Sequence, residues 1–260
     1  MASELATPTS CYTDLLLALP DDVPVLRVCI GAFLTAVVVD RGGYLRCGLA
    51  SAMRRDNHQE VGPSPVAEAG RLHRRSGREL AELLLSESTL EASIGMAAVN
   101  ALLPVDENAC SELNAEEMIV ERGAGRRVAV VGHFPFMPRL REVVSELWIL
   151  EQRPKPGDLP AEDAAKVIPQ ADVVAITGTS LLNHTFEGLV RLCRPGAFVL
   201  ILGPSTPLSP LLFHYGVHAL SGTVVDDVET VLRYVEQGAT FRQLHHHGVR
   251  LLTMCREGAR

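Results

Sequence analysis

The chain has 260 residues, 47% of them hydrophobic and 21% charged, which supplies enough apolar material for one large or two modest packed domains and excludes a disordered chain. Its net charge of −7 argues against a nucleic-acid partner, because replacing counterions needs a basic stripe, and the clusters Arg54-Arg55 and Arg71 to Arg78 read as solvated faces of a loop and a helix. No stretch approaches the ~18 apolar residues of a membrane span, the first residues carry no basic leader, and the six cysteines are scattered without a CxxC pair, so the expectation is a cytoplasmic protein with free thiols and no membrane partner.

In chain order, residues 10–19 read as a short helix stopped by Pro20. Two apolar runs follow, Leu26 to Asp40 and Gly43 to Ala50, joined by Asp40-Arg41-Gly42-Gly43, a turn with the glycines that a strand reversal needs. Helical patterns come next over Ala67 to Leu85 and over Thr89 to Leu103, the second stopped by Pro104. Strands first and helices after describe a small α+β unit, assigned to residues 1–107. The acidic, aperiodic segment 105–113 reads as a linker. Asn114 opens a helix with Glu117 at capping-box spacing, and Gly123 lies where a left-handed residue should end it.

From Gly125 onward the pattern alternates. Strands are expected at Arg127–Val131, Leu147–Leu150, Val173–Ile176, Ala197–Leu202 and near Ala219–Leu220, with a last strand-like piece at Arg250–Met254. Helices are expected at Arg139–Glu146, Leu181–Cys193, Ser209–Tyr215 and Val228–Gln237. Short apolar strands alternating with helices imply right-handed crossovers and an open parallel sheet, a Rossmann-like α/β domain over residues 108–260.

Open parallel sheets bind ligands outside the carboxyl ends of their strands. The loops there contain Gly132 and His133, Glu151 with Asp158, Thr177-Gly178-Thr179-Ser180 with Asn183 one turn on, Gly203-Pro204-Ser205-Thr206, and Asp226. Each has a residue that shapes the backbone plus a hydroxyl, amide or carboxylate, so a ligand site is expected along this edge. NAD is an unlikely occupant on chemical grounds: the first loop, Gly-His-Phe-Pro-Phe, has one glycine where a pyrophosphate needs close backbone approach, and its proline lacks an N–H donor. Glu151 does stand where a ribose-binding acid would. Gly178-Thr179-Ser180 at a helix start would suit an anion, although Ser180 taken alone is equally a plain helix cap. His133 reads either as an acid/base or metal ligand or as a structural loop histidine. His245-His246-His247 reads as an exposed turn, because consecutive residues do not converge on one ion.

The segments VAVVGHFPF (128–136), ITGTSLLNHTFEGLV (176–190) and LGPSTPLSPLLFHYGVHALSGTVVDD (202–227), with the Glu151…Gly157-Asp158 loop, resemble a prokaryotic family named for heavy-metal chelation. The resemblance implies an enolase-N-terminal-like domain followed by a Rossmann-like domain, and IGMAAVNALL (94–103) fits the first of these. It also implies a site in the interdomain cleft formed by the loops above, with Asn100 supplied from the smaller domain. The resulting expectation is a metal ion, or a metal-chelated or anionic small molecule, held there, with Glu151, Asp158 and His133 as metal ligands and a divalent ion as cofactor; hard oxygen donors suit Mg²⁺ or Mn²⁺. The alternatives are an enzyme acting on a nucleotide-like or other anionic small molecule, with Glu151 and His133 as acid and base, and a non-catalytic sensor. A homodimer is the default assembly.

Overall fold

A computed structural model describes residues 10–53 and 64–259; the basic pair Arg54-Arg55 lies outside them. The chain starts with helix α1 (Cys11–Leu17), whose first turn is capped by the Ser10 hydroxyl accepting from the Thr13 N–H. Three antiparallel strands follow in the order β1 (Val25–Ile30), β2 (Leu34–Asp40) and β3 (Leu45–Ser51). The run expected to be continuous from Leu26 breaks at Gly31, where a Cβ would lie 2.3 Å from the Val235 carbonyl oxygen, so the chain can turn there only without a side chain. The β2–β3 hairpin turns where the glycines suggested: Gly42 and Gly43 have φ of 68° and 93°, and Asp40 Oδ1 accepts from the Gly43 N–H at 2.7 Å.

The helix expected over Ala67–Leu85 is broken into a 3-10 turn (Leu72–Arg74), helix α2 (Gly77–Ala81) and a second 3-10 turn (Glu82–Leu85). Ser76 and Glu79 form a capping box, so the sequence carried a helix start in the middle of that pattern. Helix α3 (Thr89–Leu102) is buried along nearly its whole length. It lies directly on β3, where a Cβ on Gly48 would sit 2.1 Å from the Ala97 carbonyl oxygen. Glycine at this position lets helix and strand backbones touch.

The second sheet has eight strands. In chain order the elements are β4 (Cys110–Ser111), α4 (Ala115–Gly123), β5 (Arg127–Val131), α5 (Met137–Val143), β6 (Glu146–Glu151), β7 (Leu159–Pro160), α6 (Ala164–Val167), β8 (Val173–Thr177), α7 (Phe186–Leu192), β9 (Phe198–Leu202), β10 (Ala219–Val225), α8 (Val228–Glu236), α9 (Phe241–Leu244) and β11 (Val249–Cys255). Across the sheet they run β4-β11-β10-β9-β8-β5-β6-β7; the pairs from β10 to β7 are parallel, and β11 and β4 are antiparallel additions at one edge. Successive residues point to opposite faces: Val128 and Val130 pack with α4 and α5, while Ala129, Val174 and Ile176 join a core that continues into α3 and the small sheet.

Several expectations shift. The linker 105–113 contributes edge strand β4, which pairs with Thr253 and Met254. Asn114 does cap α4, but its side chain accepts from the Glu116 N–H, and the left-handed residue beyond the helix is Gly125, with φ of 67°, rather than Gly123. The helix expected from Leu181 starts at Phe186, after a 3-10 turn and a left-handed His184 with φ of 59°. Ser209–Tyr215 folds chiefly as a 3-10 turn from Pro210. β10 runs to Val225, well past the two residues expected, because it pairs with β11 over its whole length.

The chain does not simply finish one layer and start the next. Helix α8 packs Val231, Leu232 and Val235 against Leu34, Ala36, Val38 and Leu49, so the small sheet lies between α3 and a helix from the C-terminal half. No helix among the described residues is long and apolar enough to cross a membrane.

Candidate functional site

After β5 the chain moves outward to β6 and β7, then returns to the other side of β5 as β8. The strand order therefore reverses between β5 and β8, and the loops after these two strands diverge to leave a crevice. A cavity of about 310 Å³ opens there, and its wall includes Gly132, His133, Glu151, Thr177, Thr179, Ser180 and Asn183. These seven residues, all expected at the site from sequence, are brought together.

His133 leads the first loop. Its Nδ1 lies 3.3 Å from Asp158 Oδ2, and the same oxygen accepts from the Lys155 N–H at 3.0 Å. The Asp158 side chain is only 3% exposed, against 32% for His133. A carboxylate so enclosed favours the tautomer with the proton on Nδ1, which leaves the Nε2 lone pair without a partner among the described residues. Asp158 was expected as a metal ligand; the structure instead engages it with His133 and the Lys155 backbone, so it orients the imidazole. Glu151 ends β6 in the same wall, and no described residue lies within hydrogen-bonding or ion-pairing distance of its carboxylate.

The third loop is tied to itself. The Ser180 hydroxyl donates to the Thr177 carbonyl at 2.7 Å, and the Thr177 and Thr179 hydroxyls are 3.0 Å apart. One of that hydroxyl pair must donate to the other, which leaves a single O–H for a ligand. Asn183 Oδ1 accepts from both the N–H and the hydroxyl of Thr185. The expected anion site at Gly178-Thr179-Ser180 has only one 3-10 turn behind it, since α7 starts at Phe186, so no α-helix dipole points at Ser180.

A second cavity, of about 750 Å³, adjoins the first; Phe134 and Thr177 line both. Gly203 and Pro204 line this larger space, as do Phe33 from the small sheet and Phe241, Arg242, His245 and His246 from the C-terminal segment. His245 and His246 form the turn read from sequence, with His246 exposed, and they line this space with ring centroids 3.6 Å apart.

Other expected residues lie elsewhere. Ser205 is fully buried and accepts from the Ser51 N–H at 2.8 Å; Thr206 is 2% exposed and packs on Gly178, where a Cβ would come within 2.8 Å of its hydroxyl oxygen. Both are interior joints rather than ligand contacts. Asn100 Nδ2 donates to the Leu49 and Pro204 carbonyls, tying α3 to β3 and to the loop after β9. Asp226 leaves the rim altogether: β10 carries it roughly 16 Å past Ser221 at about 3.3 Å per residue, and Arg250 binds its carboxylate with both Nε and Nη2, at 2.8 and 3.0 Å. The wall also includes Met53, Phe33 and Arg242, to which sequence reasoning assigned no role. None of them belongs to a strand-end loop of the parallel sheet, and no local signal marks them.

The donor set bears on a metal. Among the described residues, no three His, Cys, Asp or Glu side chains come together as a protein-built metal site requires. Thiols do not fit a soft heavy metal here. Neither cavity is lined by a cysteine, and burial pushes Cys47 up to about 12 and Cys193 up to about 11 and raises Cys11 strongly, with Glu187 adding to the effect. His133 and Glu151 both line the crevice.

A family profile described as "Putative heavy-metal chelation" matches residues 114–254, and a second profile with the same description matches residues 12–103. The chain belongs to this family. Its fold is similar to that of a protein of unknown function from the same family in Desulfitobacterium hafniense, with 27% identity, a TM-score of 0.80 and coverage of 94% of this chain and 97% of the other. It is similar in fold to a second such protein, from Pyrococcus horikoshii, at 18% identity, a TM-score of 0.80 and coverage of 94% and 98%. An uncharacterised protein of Methanocaldococcus jannaschii is 26% identical over 154 residues, which span 56% of this chain and 60% of that relative.

Proposed function

We propose that the protein holds a metal ion carried by a small chelating molecule in the crevice between β5 and β8, with His133 Nε2 and Glu151 turned to the ion. The observation that carries this reading is the enclosed Asp158 side chain, 3% exposed, against His133 Nδ1. Histidines that ligate metals commonly donate the other ring N–H to a carboxylate, which fixes the tautomer and raises ligand basicity. Two protein donors leave the remaining coordination positions to the ion's own ligands. A space of about 310 Å³ is more than a bare ion needs and falls at the lower bound of small-molecule pockets. The chain therefore recognises a chelate; it does not sequester a naked ion. Among the described residues, Met53 is the contribution of residues 1–107 to this crevice, and the rest of its wall comes from residues 108–260.

The same Asp158–His133 pair favours a second reading, an enzyme acting on an anionic small molecule with His133 and Glu151 as acid and base. Nickel nitrilotriacetate, whose metal has two open positions, separates the two. Calorimetric titration should show binding that weakens by about tenfold or more in both His133→Ala and Glu151→Gln and persists when His245, His246 and His247 are replaced by alanine. Binding that survives both site substitutions, or that disappears with the histidine run, overturns the chelate reading.

A further inference from the structure

The larger cavity has a chemistry of its own. Of the seven phenylalanines in the chain, Phe33, Phe134, Phe136 and Phe241 line it. Phe134 and Phe136 lie nearly parallel, with ring centroids 5.4 Å apart and 13° between planes. Large apolar side chains are usually covered in a folded protein, yet Phe33 is 54% exposed, Leu113 41% and Leu251 40%, and all three face this space. A flat apolar body would cover them.

One end of the wall is cationic. Arg242 has no carboxylate within ion-pairing distance among the described residues, and His245 and His246 are its neighbours in the wall. Of the other charged groups, Arg250 is neutralised by Asp226 and Glu107, and Glu116 is paired with Arg139; Glu112 also lines the wall. His245 is held below the usual imidazole range, first by burial and then by the charge of His246 and Arg242. An anion there would meet the fixed charge of Arg242, with the imidazoles of His245 and His246 beside it as hydrogen-bonding groups.

We infer that the larger cavity binds an aromatic carboxylate, its ring against Phe33, Phe134, Phe136 and Phe241 and its carboxylate on Arg242 with His245 and His246. A volume of about 750 Å³ accommodates a molecule of drug size. Because Phe134 and Thr177 are walls of both cavities, this ring system is the organic part of the chelate proposed above, and the inference rests on that reading for its connection to a metal. Binding of the metal-free aromatic acid does not depend on it.

The test is calorimetric titration of the full chain with benzoate, naphthoate and dipicolinate, and with cyclohexanecarboxylate as the saturated control. At least one aromatic acid should bind about tenfold more tightly than the saturated acid. Arg242→Glu, an exposed substitution that spares the core, should abolish this binding, whereas Arg191→Ala, at a residue that lines neither cavity, should leave it unchanged. The inference is overturned by equal affinity for aromatic and saturated acids, by no binding of either, by binding that survives Arg242→Glu, or by a second copy of the chain occluding the cavity in sedimentation experiments. If nickel nitrilotriacetate fails to bind while the aromatic acid still does, the metal reading falls and the aromatic site stands.

Discussion

Gly132 and Thr177 stand side by side across the point where the strand order reverses: a Cβ on Gly132 would lie 3.0 Å from Cβ of Thr177, and Gly132 has φ of 102°. Both the contact and the backbone conformation exclude an ordinary side chain. Gly132→Ala should therefore destabilise the fold by about 1–3 kcal/mol. It should also displace His133, the next residue, and weaken nickel nitrilotriacetate binding. Thermal unfolding and titration of the same preparation measure both effects.

Asp158→Asn keeps the shape of the side chain and removes its charge. The imidazole then faces a neutral amide oxygen in place of the carboxylate charge that favours its proton on Nδ1. Chelate affinity should fall by about tenfold to a hundredfold, while the melting temperature changes little, because a carbonyl oxygen remains for the Lys155 N–H. Nitrogen NMR of His133 should show a mixture of tautomers in the variant and one tautomer in the wild type. A single unchanged tautomer would mean that the charge of Asp158 does not set the proton position.

Asn100 is predicted to act on stability rather than on ligand contact. Its amide satisfies the Leu49 carbonyl at 2.8 Å and reaches Pro204 at 3.4 Å. Asn100→Ala leaves these acceptors without their donor and should cost about 1–3 kcal/mol, read as a lower denaturant midpoint. Replacing Asp226, by contrast, should leave nickel nitrilotriacetate affinity unchanged, since its carboxylate is bound to Arg250 and does not line the crevice between β5 and β8.

Acid sensitivity should trace in part to Asp172. Its carboxylate is held below the usual range chiefly by the Arg127 backbone N–H at 2.9 Å, with the Arg194 and Arg127 guanidiniums adding to the effect. A carboxylate whose folded-state pKa is depressed stabilises the protein above its unfolded value, about 3.9, and that contribution is lost as pH falls through the folded value. Asp172→Asn should therefore be less stable than the wild type at neutral pH, and the gap should close as pH drops below about 4. A constant gap across the titration would assign the effect to packing alone.

The fold was largely readable because its signals are local. Period-two alternation from Val128 to Val130, the glycines at 42 and 43, and the alternation of strands with helices each act over a few residues. The misreadings share a physical cause, a long-range partner. β10 is long because β11 pairs with it, Cys110–Ser111 is a strand because Thr253 and Met254 complete it, and Leu26 to Asp40 breaks because Gly31 meets Val235. At the site, the loops after β5, β6 and β8 were legible, since strand order alone brings them together. The loop after β9 was legible as a loop but not as interior: Ser205 and Thr206 look like ligand donors until the Ser51 N–H and Gly178 are seen against them. Phe33, Met53 and Arg242 come from segments whose approach to the crevice is set by tertiary packing, which leaves no mark in the local pattern.

Anomalous X-ray diffraction at the nickel edge, from crystals grown with nickel nitrilotriacetate, tests the central claim most directly. A single strong peak is expected between β5 and β8, with His133 Nε2 and a Glu151 oxygen at coordination distances of about 2.0–2.2 Å and Asp158 not bonded to the metal. A peak on the cysteines or on His245 to His247, with the crevice lacking metal, would contradict it.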